Sequence, residues 1–161
     1  MKTILVVDDD KLNLSAARKV LSGEYKVIPV VRGTQALSYL ENGECDMILL
    51  DISMPEMDGF ELLRKIRTME NCKDTPVIFL TADNDTETET RCFKEGAIDF
   101  IVKPFVPAVM QSRIGRALEL EELRRGLADK LEKKTREVSD IKSKSYQDAL
   151  TGLWNRAYTE N

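Results

Sequence analysis

The chain has 161 residues, of which 42% are hydrophobic, so it holds one domain with a real core and an extension beyond it. It contains no histidine, which excludes His-based metal sites, His general bases and a phosphohistidine of its own; no apolar stretch approaches the roughly 18 residues that cross a membrane, and Met1–Leu5 runs straight into a strand, against a signal peptide. Residues 1–107 hold 13 Lys and Arg against 19 Asp and Glu, residues 108–161 hold 11 against 9, and neither part makes the concentrated basic patch that nucleic-acid binding asks for.

The first expected strand, Thr3–Val7, ends in Asp8-Asp9-Asp10, where Asp10 reads as the cap of a first helix. The second, Lys26–Val30, runs into Val31-Arg32-Gly33 and brings no acid, as suits a strand at the sheet edge. The third, Met47–Leu50, opens onto Asp51-Ile52-Ser53-Met54-Pro55-Glu56-Met57-Asp58-Gly59. Asp58 followed by Glu61 reads as a capping box, and Phe60, Leu63 and Ile66 then share one helical face. The fourth strand is Pro76–Thr81; Asp85 caps Thr86–Lys94 and Gly96 ends that helix. The fifth is Asp99–Val102, followed by Lys103-Pro104, a candidate cis peptide because X-Pro is the bond where cis is cheap. From Pro107 to about Ser145 no proline interrupts, and a helix of about 38 residues would reach roughly 57 Å.

Short Val/Ile/Leu-rich runs that recur every 20 to 30 residues between helical patterns imply a five-stranded parallel sheet covered on both faces, an α/β doubly wound architecture. In such sheets ligands bind at the carboxyl ends of the strands. Asp8, Asp9 and Asp51 gather there, with Thr81 and Lys103 at the same level. Carboxylates crowded at one rim repel each other unless a hard cation neutralises them. A carboxylate beside bound Mg²⁺ can act as nucleophile toward a phosphoryl group. Cys45, Cys72 and Cys92 are scattered, with no CxxC, and read as reduced thiols of a cytoplasmic protein.

Asp8-Asp9, Asp51 with Met54-Pro55 and Asp58-Gly59, Thr81-Ala82 and Lys103-Pro104-Phe105, in this order and spacing, resemble the receiver family of two-component response regulators. The resemblance covers residues 1 to about 120 and implies a flavodoxin-like strand order 2-1-3-4-5. By position it makes Asp51 the phosphoacceptor. It has Asp8, Asp9, Asp51 and the backbone carbonyl of Ser53 hold Mg²⁺. Lys103, Thr81 and Ala82 would bind the phosphoryl group, Phe100 would be the aromatic switch residue, and Ser53 and Asp83 would tune the phosphoaspartate lifetime. A sensor histidine kinase or phosphotransfer protein is the implied donor. A phosphatase of the HAD type is disfavoured, because Asp51-Ile52-Ser53 lacks the second aspartate such an enzyme uses.

Within the long helix, residues 107–146, a heptad register places Ala117, Leu131 and Val138 in one seam position and Leu120, Leu127 and Ile141 in the other, interrupted by Arg124, Lys134 and Ser145. The expectation is a homodimeric coiled-coil stalk. Asp148-Ala149-Leu150-Thr151-Gly152-Leu153-Trp154-Asn155-Arg156 resembles the segment that opens GGDEF diguanylate cyclase domains, which make cyclic di-GMP from GTP. No GGDEF or GGEEF string occurs, so residues 147–161 are read as the start of an output domain whose catalytic segment lies outside this sequence, and the fragment as no enzyme itself. The competing expectation is a dimerisation scaffold with a receiver fold that never needs phosphate.

Overall fold

The computed structural model describes residues 1–83 and 85–141, with the side chains of the last helix as far as Ala128. The apolar runs form β1 (Thr3–Val7), β2 (Lys26–Val30), β3 (Met47–Asp51), β4 (Val77–Thr81) and β5 (Asp99–Val102). They pair in parallel in the order β2-β1-β3-β4-β5, the doubly wound, flavodoxin-like order expected. Two bounds differ from expectation. Asp51 is itself the last residue of β3, in register with Leu80. Pro76 precedes β4, since it has no N–H for the ladder, although its carbonyl accepts from the Ile48 amide at 3.0 Å.

Alternation along the inner strands divides the core. Leu5, Val7, Ile48, Leu50, Val77 and Phe79 point to one face, covered by α2 (Gly33–Asn42), α3 (Gly59–Arg67) and Cys92 of α4 (Thr86–Lys94). Ile4, Val6, Met47, Leu49, Ile78 and Leu80 point to the other, covered by α1 (Lys11–Leu21) and the first turns of α5 (Pro107–Ile141). β3 and β4 are buried throughout, whereas β2 is partly exposed at its edge and tolerates Pro29 there. The helix starts behave as read: Asp10, Asp58 and Asp85 accept the amides of Leu12, Glu61 and Thr88 at 2.8–2.9 Å. Gly96, at φ 104°, follows α4 in a conformation that favours glycine.

One seam assignment is corrected. Ala117 is 5% exposed and packs with Met110, Ile114 and Leu118 in the core, so it is no stalk residue. Backbone contacts divide the chain after Leu120. Leu120, Leu123 and Leu127 are exposed. The side chains of Leu131, Val138 and Ile141, and all of residues 142–161, lie outside the described residues. Among the described residues no helix is long and apolar enough to cross a membrane.

Candidate functional site

The parallel register brings the ends of β1, β3, β4 and β5 to one edge. Asp8 follows β1 directly and is fully buried, one carboxylate oxygen accepting the Asp10 amide at 2.9 Å. Asp51 ends β3 with 2% exposure, and the Ser53 amide donates to it at 3.3 Å. Lys103 leaves β5 over a cis Lys103–Pro104 peptide, with its amide on the Thr81 carbonyl at 2.8 Å. Its ammonium donates to Asp51 at 2.9 Å and to Asp8 at 3.3 Å. Asp9 stays exposed, yet Asp8, Asp9 and Asp51 offer oxygens within 4.8 Å of one another.

The loop after β3 is shaped by two backbone demands. A Cβ on Gly59 would lie 2.4 Å from the Asp51 carbonyl oxygen, so only glycine lets α3 start against the strand end. The Met57 amide donates to the Pro55 carbonyl at 2.7 Å across Glu56, whose φ is 70°. This three-residue turn folds the segment back beside Asp51.

Burial pushes the Asp51 carboxyl up to about 7; Lys103 opposes that shift and the charge of Asp8 adds to it. For Lys103, burial works against the charged form, but the bonds and charges of Asp51 and Asp8 outweigh it and hold the ammonium above its usual value. The result is a partly desolvated acidic site with one lysine among three carboxylates. Its all-oxygen donor set, with Asp9 open to solvent, fits a hard divalent cation that keeps some of its water.

A cavity of about 300 Å³ opens beside Asp51 and is lined by Ser53, Thr81, Ala82, Asp83 and Lys103, bringing six of the expected residues together. The Thr81 hydroxyl is engaged within its own loop: it accepts the Asp83 amide at 2.9 Å and donates to the Asp83 carbonyl at 3.1 Å. Phe100 does not line the cavity. It is half-buried, its ring edge-on to Phe93 at 6.2 Å, with the Arg113 guanidinium 5.4 Å from its centroid. Phe60 and Arg91 are among the lining residues that sequence reasoning did not assign to the site. Phe60 registers in the sequence only as a core position, and Arg91 carries no local signal of its own.

The profile of the response regulator receiver domain matches residues 4–115. A probable cyclic di-GMP phosphodiesterase of Vibrio cholerae is 36% identical over 117 residues, 73% of this chain and 26% of that protein, so the chain spans about a quarter of that relative's length. The two-component response regulator ORR5 of rice, Oryza sativa, is 34% identical over 117 residues, 71% of this chain and 87% of that protein. Among solved structures, the Vibrio cholerae chemotaxis protein CheY4 superposes with a TM-score of 0.69 at 30% identity, covering 73% of this chain and 98% of that one. With the doubly wound sheet and the acidic strand-end site already in place, these matches assign the chain to the response regulator receiver domain family.

Proposed function

We propose that this receiver takes a phosphoryl group on Asp51 from a sensor histidine kinase or phosphotransfer protein. The observation that carries the reading is the Lys103 ammonium shared between buried Asp51 and buried Asp8, with Asp9 in reach. An Asp51 carboxylate oxygen forms the new bond to phosphorus while the bond from phosphorus to the donor nitrogen breaks. Lys103 keeps its proton and moves its hydrogen bonds to the phosphoryl oxygens. The Thr81 hydroxyl exchanges its Asp83 contacts for another phosphoryl oxygen, beside the Ala82 amide. Asp8, Asp9, Asp51 and the Ser53 carbonyl would hold Mg²⁺. Bound there, the metal would neutralise the crowded carboxylates and offset charge on the transferring group. Mass spectrometry after acetyl phosphate treatment with Mg²⁺ tests the assignment. One phosphoryl adduct is expected in the native chain and none in Asp51→Asn; an equal yield in the variant would sink it.

We infer further that the receiver acts through a homodimeric helical stalk, residues 107–146, on an output domain opening at residues 147–161, in the cytoplasm. The exposed Leu120, Leu123 and Leu127 support the stalk. The Asp148–Arg156 segment supports a diguanylate cyclase output of the GGDEF type. A second reading, an output that hydrolyses cyclic di-GMP, is favoured by the name of the Vibrio relative, but the match to that protein spans 117 residues. Cyclic di-GMP synthesis or hydrolysis by the longer protein separates the two. A scaffold that ignores phosphate would show the same oligomer and output with and without beryllofluoride.

A further inference from the structure

The described residues that line the Asp51 cavity include two cations, Lys103 and Arg91. Lys103 is committed to Asp51 and Asp8. Arg91, on α4, is not bound to any of the carboxylates that line the cavity. Its guanidinium lies over the Phe60 ring, 4.1 Å from the centroid, and its Nε is 3.8 Å from Glu95, too far for a strong bond. Glu95 is already held by a two-pronged contact from Arg64, at 3.1 and 2.5 Å. Phe60 is 4% exposed and fixed against Phe79 at 4.9 Å, so the ring is a rigid seat. Arg91 itself is 55% exposed and stands where the Asp51 cavity meets the neighbouring hollow beside Pro55 and Asp58. An arginine on such a seat, with a weak carboxylate partner, is free to turn.

Phosphorylation changes the charge it faces. A phosphoryl group carries about −1.5 to −2 where the carboxylate carried −1, and adds three strong acceptor oxygens. Lys103 has one ammonium to share among Asp51, Asp8 and the new oxygens. Asp83, Asp85 and Glu87 line the same cavity and add to its negative charge, and among its described lining residues Arg91 is the one cation on the α4 side. A planar guanidinium matches two of those oxygens at once.

We propose that Arg91 is a second phosphoryl-binding residue: on phosphorylation its guanidinium leaves the Phe60 ring, turns into the cavity and donates to the outward oxygens of the group on Asp51. This rests on Asp51 being the phosphoacceptor. Arg91 then shields the acyl phosphate from water and draws α4 toward the site, giving α4 a direct report of phosphorylation.

The test is the affinity of the full chain for beryllofluoride in the presence of Mg²⁺, read by calorimetry, with the hydrolysis rate of the phosphorylated chain as a second readout. Arg91→Gln should weaken beryllofluoride binding about five-fold and speed hydrolysis by a similar factor, as loss of one exposed charge-assisted contact implies. Arg91→Lys should fall between the two, and Phe60→Leu, which removes the aromatic seat, should bind at least as tightly as the native chain. Native-like affinity and hydrolysis in Arg91→Gln, in a native chain that binds beryllofluoride, overturns the role of Arg91 and leaves the role of Asp51 standing. Failure of the native chain to bind beryllofluoride overturns both.

Discussion

Asp51 is 2% exposed, and its carboxyl is pushed up to about 7 chiefly by burial. The folded protein therefore holds this proton more tightly than the unfolded chain, whose aspartates titrate near 4. The stability this residue contributes is fully present below about pH 4 and is lost as pH rises through about 7. In metal-free buffer with a chelator, the native chain should lose on the order of 2 kcal/mol more than Asp51→Asn between pH 5 and 8. Urea unfolding at several pH values measures this, and parallel pH profiles for the two proteins would refute it. Gly59 is the second residue whose identity is forced. An added methyl would meet the Asp51 carbonyl at 2.4 Å and must move either β3 or the start of α3. Gly59→Ala should lower stability by at least about 2 kcal/mol in thermal or urea unfolding. A change below about 0.5 kcal/mol would show that the loop yields freely.

At the scale of elements, the β3–α3 connection stores strain beside the site. Glu56 occupies φ 70°, closing the turn from Pro55 to Met57. A left-handed conformation costs a residue with a Cβ roughly 1–2 kcal/mol, and a β-branched side chain tolerates it worst. Glu56→Val should therefore unfold at distinctly lower urea than Glu56→Gly; equal midpoints would mean that the turn reshapes itself around the valine. The sequence made most elements legible because each carries a local signal. The strands are apolar runs, and three helices begin at aspartates whose side chains accept the amide two or three residues on. The acidic site was legible because Asp8, Asp51 and Lys103 each sit at a strand end, and a parallel sheet brings such ends to one edge. Ala117 was misread because one turn of core-facing helix and one heptad position look alike in spacing. The Arg64–Glu95 pair spans 31 residues and the Arg91–Phe60 contact an equal stretch, so no local periodicity announces them.

For the whole molecule, the proposed assembly turns on α5. Leu120, Leu123 and Leu127 are 56%, 60% and 61% exposed, whereas Met110 and Ile114, nearer its start, are fully buried. A leucine carried from water into a packed seam contributes about 1.5–3 kcal/mol, so two or three per chain, doubled by symmetry, are enough to bias association. Glu121 is bound by both Arg124 and Arg125 within the helix, a pattern that leaves the leucine side chains as the apolar surface on offer. Leu120→Lys combined with Leu127→Lys would place four ammonium groups in a two-stranded seam. Light scattering on the 161-residue chain should show a dimer for the native protein and a monomer for the double variant. Because both side chains are exposed, the melting of the receiver should stay close to native in the variant. A variant that remains dimeric would move the interface away from these leucines and onto the receiver surface. A native chain that is monomeric at all concentrations would overturn the proposed dimeric stalk.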